Sequence, residues 1–149
     1  MKTICLYFEI HQNIQLKRYR FFDIGTDHYY YDDYEDERII EDVTERSYMP
    51  ALNAIGEMIK ENGKYFKVAF SLSGVGMEQL EIHAPQVIEK LQELNQTGCV
   101  EFLAEPYSHG LASLANEESF TKEVKRQCQK MKEYFGQEPK VLRNSSLIY

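Results

Sequence analysis

The side chains of this sequence that could do chemistry gather in four short clusters. They read EIHQN (9–13), SLSG (71–74), AEPYSH (104–109) and RNSS (143–146). Imidazole and carboxyl groups can move protons near neutral pH, and the hydroxyls, amides and guanidinium among them hydrogen-bond polar ligands. Each cluster closes a short run of apolar, β-branched and aromatic residues, so what matters is the elements that would bring the four ends together.

Those runs are TICLYFEI (3–10), KVAFSLS (67–73), CVEFLAE (99–105) and KVLRNSS (140–146), and they are expected as four β-strands. Helical patterns lie between them. Tyr48, Leu52, Ile55 and Ile59 recur at three- and four-residue spacing in a stretch from about Arg38 to Asn62, where Pro50 predicts a kink or a break. Met77, Leu80, Ala84, Val87, Leu91 and Leu94 form a second stripe, which Gly98 ends. A third helix has Asn116 as its cap, Glu117 and Glu118 in the positive first turn, and Gly136 then Pro139 as its stop. Its buried face is predicted as Phe120, Val124, Cys128, Met131 and Phe135. The alternation predicts an α/β fold with a largely parallel sheet, either open or a (β/α) barrel. In both architectures sites form at the carboxyl ends of the strands, where all four clusters fall.

The chain has 149 residues, a length that suits one domain over 1–149. Its content, 43% hydrophobic and 28% charged, is ordinary for a globular protein. A net charge of −7 argues against nucleic acid as a partner, which needs a basic face. No apolar run approaches the roughly 18 residues that span a membrane. Glu9 interrupts the short apolar start and no small-residue cleavage site follows, so the expected location is the cytoplasm. Cys5, Cys99 and Cys128 match no zinc spacing and are read as buried free thiols. His83 is expected to face solvent.

Five of the six residues from Asp32 to Glu37 are acidic, within a connection longer than unstructured loops usually reach. The run lacks the spacing of a calcium loop. It is read as a solvated acidic face opposite the basic LKRYR (16–20). Tyr29, Tyr30 and Tyr31 are candidates for an aromatic lid over the strand ends.

The same four stretches resemble glycoside hydrolase family 57, α-amylase-type enzymes built on an incomplete (β/α) barrel of seven strands. YFEIHQ is similar to the family's first motif, and GCVEFLAEPYSHGLASL to its second. FSLSGVGMEQLE and VLRNSSLIY look like the α-amylase branch, the latter like the third motif, which carries the catalytic nucleophile. The resemblance runs the length of the chain and implies the front four βα units of the seven-stranded barrel, with further strands in ordinary members. It implies that His11, Gln12 and His109 line the subsite for the sugar being cleaved. Glu105, Tyr107 and Arg143 join them as candidate substrate-binding residues.

Each of these residues has a plainer reading. His11 could cap a strand end, Tyr107 and His109 could be turn residues, and Glu105 could pair with Arg143. Asn13 stands where the family has proline. Ser146 stands where the branch has its nucleophilic glutamate, and the acid/base aspartate belongs to a later motif. Retaining glycosidases need two carboxyl groups about 5–5.5 Å apart, and an uncharged serine cannot replace one of them without an activating base. The resemblance therefore implies a catalytically disabled α-glucan hydrolase or transferase domain that takes an α-glucan or maltooligosaccharide, with no cofactor and no metal. The alternatives are a non-catalytic α-glucan-binding or regulatory protein and a metal-dependent polysaccharide deacetylase-like hydrolase. For the last, Asp32 and Asp33 lie off the strand ends and no His-x-x-x-His occurs. An unclosed sheet has open edges, so a homodimer or a partner chain completing the barrel is expected.

Overall fold

The computed structural model describes residues 3–26 and 28–148. Three strands, β1 (Leu6–Ile10), β2 (Val68–Leu72) and β3 (Val100–Leu103), form a parallel sheet in the order β1-β2-β3. The helices are α1 (Asp33–Val43), α2 (Met49–Asn62), α3 (Gly74–His83), α4 (Pro85–Gln96), the short α5 (Ala112–Ala115) and α6 (Glu117–Phe135).

Register fixes what each face of the sheet presents. Phe8, Phe70 and Phe102 are successive Cα partners across the three strands. Their rings follow one another at 5.7 and 6.3 Å, and Phe135 of α6 stacks on Phe102 at 4.0 Å. Val68, Phe70, Leu72, Val100 and Phe102 are buried in one core with Leu52 and Ile55 of α2, Leu80 of α3, Leu91 of α4 and Met131 of α6. Side chains alternate along a strand, so Tyr7, Glu9, Ser71 and Leu103 belong to the opposite face.

Local chemistry accounts for the helix boundaries, including two that differ from expectation. The acidic run begins α1, five residues before the expected Arg38; Asp33 and Glu37 are exposed, and the run follows the antiparallel Leu16–Tyr31 bridge that sets it beside LKRYR. Asp32 caps α1 by accepting from the Glu35 N–H at 3.1 Å, and the acidic groups of the first turn meet the positive helix end. Asp36 is buried and accepts from the Gln15 N–H at 2.8 Å. The interruption expected at Pro50 divides the stretch into two helices. A π-turn over Thr44–Tyr48 joins α1 to α2, with the Met49 N–H bonded to Thr44 O five residues back, and Pro50 sits in the first turn of α2. The stripe expected over Gly76–Asn95 is two helices, because Pro85 forces Ala84 out of helical conformation (φ −149°). On α6 the Asn116 cap and the left-handed Gly136 stand as expected, but Gln127, not Cys128, is fully buried.

The fourth expected strand is reduced to one parallel bridge, Ala104 with Leu142. Ala104 donates to Val141 O and Arg143 donates to Ala104 O, both at 2.8 Å. Lower on the same edge, the Gln137 side chain replaces a backbone partner: its oxygen accepts from Phe102 N–H at 3.1 Å and its amide donates to Val100 O at 2.8 Å. Pro139, with no N–H, could not serve there. All three cysteines are free, but Cys5 is exposed rather than buried. His83 is partly exposed.

Tyr107 packs against the first turn of α3. A Cβ on Gly74 would lie 2.1 Å from two Tyr107 ring carbons. Gly74→Ala is expected to destabilise the fold by about 1–3 kcal/mol through overpacking, read as the midpoint of urea unfolding. Gly56→Ala is the control, because its Cβ would meet the Leu94 methyl at 3.4 Å and the flexible Lys90 Nζ at 4.0 Å. There alanine's higher helix propensity should leave stability unchanged or raised.

Candidate functional site at the strand carboxyl ends

Beyond the Phe ladder, the opposite face of the sheet ends in polar groups. Glu9 and Ser71 are register partners, and Glu105 lies two residues past Leu103, the partner of Ser71. His11 follows Glu9 by two residues and Ser73 follows Ser71 by two, so all five share one face. The three strands and the bridge at Leu142 bring them together with His109 and Arg143.

Glu105 is the centre. Its side chain is 0% exposed, and no hydrogen bond of good geometry reaches either carboxyl oxygen, the Ser71 hydroxyl being the nearest neutral donor to act on it. Burial lifts its pKa to about 8, with the Glu9 charge adding and Arg143 and, more weakly, the Ser71 hydroxyl opposing. At neutral pH the carboxyl is therefore largely protonated. Arg143 Nη1 bonds Glu9 Oε1 at 2.5 Å and stands 4.0 Å from Glu105 Oε2. One cation thus balances one carboxylate, and the second acid is kept neutral by its surroundings.

His109 lies over this pair, with Nδ1 3.3 Å from Glu9 Oε1 and 3.5 Å from Glu105 Oε2 but hydrogen-bonded to neither. Its pKa is lowered, first by burial and then by His11, which favours the neutral ring. The His11 ring stacks on it at 4.3 Å. Asn13 Oδ1 can only accept, so His11 Nε2 carries the proton in that 2.8 Å bond. Nδ1 then accepts from the Ser73 hydroxyl at 2.6 Å, and Ser73 Oγ accepts from Gly76 N–H as the cap of α3. One serine fixes both the helix start and the imidazole.

Glu9, Glu105 and His109 bring ligand atoms within 4.8 Å of one another, a spacing a cation could use. The Arg143 guanidinium already supplies that charge.

Of the residues predicted from sequence, His11, Glu105, His109 and Arg143 meet in this cluster. Gln12 points elsewhere, donating to the Tyr48 hydroxyl beside the π-turn at 3.4 Å. Tyr107 is 2% exposed: its hydroxyl donates to Glu78 and the Arg126 guanidinium covers its ring at 3.7 Å. That ring packs under α3 and presents no open face. Asn144 and Ser145 are buried, while Ser146 is exposed with left-handed backbone (φ 53°). Tyr29, Tyr30 and Tyr31 belong to an excursion that leaves the end of β1 and folds back through an antiparallel Leu16–Tyr31 bridge. Sequence reading did not single out Glu9 or Ser73, although strand alternation with His11 and Ser71 was a signal for both.

Because the folded carboxyl of Glu105 ionises near 8 and the unfolded one near 4, the folded chain holds an extra proton between these values. Stability is therefore full below the unfolded pKa and falls as pH rises through the folded one. Glu105→Gln mimics the neutral acid and removes this loss. Urea unfolding at a series of pH values should show the two proteins converging near pH 4. By pH 9 the variant should be ahead by on the order of 5 kcal/mol.

Known proteins share the sequence profile and the fold of this chain. The profile of glycosyl hydrolase family 57 matches residues 5–149. A protein of Methanocaldococcus jannaschii, provisionally named an alpha-amylase, is 36% identical over 121 residues, which are 80% of this chain and 26% of the relative. Among solved structures, the 4-alpha-glucanotransferase of Thermococcus litoralis superposes with a TM-score of 0.65 at 17% identity, over 93% of this chain and 18% of its own. The family 57 branching enzyme of Pyrococcus horikoshii gives 0.62 at 18% identity, over 95% of this chain and 34% of that one. The branching enzyme of Thermococcus kodakaraensis, solved with glucose and additives, gives 0.58 at 16% identity, over 95% and 32%. At these identities the structures show a shared fold, and this chain spans between a fifth and a third of their length. The chain belongs to glycosyl hydrolase family 57.

Proposed function

We propose that residues 1–149 are the N-terminal part of a family 57 catalytic domain, the front four βα units of its seven-stranded barrel. On this reading the chain binds an α-glucan or maltooligosaccharide at its strand carboxyl ends and, by itself, does not cleave it. The observation that carries the reading is Glu105: a buried, neutral carboxyl with both oxygens unpartnered. Such an atom pair is costly unless a ligand satisfies it. Sugar hydroxyls suit it, being neutral groups that both donate and accept, and His11, His109 and Arg143 are its polar neighbours.

The disabling follows from Ser146. It stands at the family's nucleophile position, carries no charge, and has no base among the contacts described for it. Three free cysteines suit a reducing compartment, and we place the protein in the cytoplasm. No helix among the described residues is long and apolar enough to cross a membrane.

Isothermal titration with maltooligosaccharides, with reducing-sugar release followed in the same samples, tests the reading. Binding without release is expected, and His109→Ala should weaken it by about tenfold or more, the scale of one lost charge-assisted or buried hydrogen bond. Release of sugar would overturn the disabled half and turn attention to the neighbouring carboxyls Glu9 and Glu105. No binding would overturn the site.

Among the described residues the outer edge of β1 is unpaired, with Leu6, Tyr7 and Phe8 each 37% exposed. That edge supports a second copy or a partner chain completing the barrel. Sedimentation should show self-association or capture of the complementary family segment, and a stable monodisperse monomer indifferent to that segment would contradict it.

A further inference from the structure

Two side-chain amides stand in for peptide groups in this sheet, at opposite ends. Gln137 completes the outer edge of β3 near Val100 and Phe102. Gln127 of α6 acts at the other end, where the backbone pairing of β2 with β3 stops at Ser71–Leu103. Its Nε2 donates to Leu72 O at 3.0 Å and to Leu103 O at 3.2 Å, and its Oε1 accepts from Glu105 N–H at 3.4 Å. The side chain is 0% exposed, so water does not compete for any of these groups.

Leucine or methionine would fill this position with less desolvation of polar atoms. An amide there is explained by what it bonds. The last carbonyls of two diverging strands are buried and need donors, and one glutamine supplies both while taking the next amide of β3. The residues it holds lead straight into the site. Leu72 precedes Ser73, whose hydroxyl orients His11. The bonded amide of Glu105 belongs to the acid itself, four residues before the His109 that stacks on His11.

We infer that Gln127 is a positioning residue that sets the separation of the two halves of the site, Ser73 with His11 on β2's side and Glu105 with His109 on β3's side. It touches no ligand in this role. It acts by clamping the strand ends, so that the Glu105 carboxyl stays dry between Glu9 and Arg143. This holds whether or not the site takes a glucan, and the test is read without sugar.

The experiment compares Gln127→Met with Gln137→Met in the full chain. Both remove an amide clip on β3, and both should lower the urea midpoint. With carboxyl-labelled glutamate, NMR gives the titration midpoint of Glu105 in each folded variant. Gln127→Met should move it down from about 8 by about one unit or more as water reaches the loosened strand ends, while Gln137→Met leaves it in place. If Gln127→Met does not fold, Gln127→Asn keeps the amide but falls short of both carbonyls, and the same shift is expected. An unmoved midpoint in the folded Gln127 variant, or equal shifts in both, would reduce the residue to a structural clip and overturn the inference.

Discussion

The parallel register of three short strands is the constraint on which the rest of this structure depends. Because β1, β2 and β3 align Phe8, Phe70 and Phe102 in one row, alternation sends Glu9, Ser71 and, further along, Glu105 to the other face. A slip of one residue in β1 or β3 would turn a carboxylate, Glu9 or Glu101, toward the helices and a phenylalanine away from them. The hydrophobic ladder and the polar site are thus one decision, and the packing of Phe135 on Phe102 stabilises the geometry of a cluster it never touches.

Charge then decides how the site rests when no ligand is bound. Two carboxyls, one guanidinium and two imidazoles share a small volume, and full ionisation of both acids would leave a buried negative charge without compensation. Arg143 pairs with Glu9, and Glu105 avoids the cost by holding its proton. The result is a nearly neutral surface with several unsatisfied polar atoms: both oxygens of Glu105, Nδ1 of His109, Nε of Arg143, and side-chain oxygens of Asn144 and Ser145. A neutral, hydroxyl-rich ligand fits this condition better than an anion, which would meet Glu9, or a metal ion, which would have to displace Arg143.

Much of this was legible in the sequence. The strand runs, the Asn116 cap, the Gly136 stop and the polar strand ends each follow from local chemistry, and His11, Glu105, His109 and Arg143 meet as their places at those ends imply. What escaped reading depended on contacts made across the fold. The acidic run became a helix start because Asp32, three residues before Glu35, is a cap, a signal that was present but outweighed by the charge pattern. The fourth strand shrank to a bridge because Gln137 took the lower part of the β3 edge by a side chain, which no periodicity reports. Tyr107 turned inward because Gly74 leaves room for its ring. Gln127 sits one position from Cys128 on an amphipathic helix, and nothing local distinguishes a glutamine that will be buried from one that will not.

The central claim is that the unpartnered carboxyl of Glu105 marks where a sugar sits. A crystal structure of the chain soaked with maltooligosaccharide tests it most directly. The expected result is a sugar hydroxyl within hydrogen-bonding distance of a Glu105 oxygen, with the His11–His109 stack kept beside it. A sugar bound elsewhere, with Glu105 still unpartnered beneath His109, would contradict the claim.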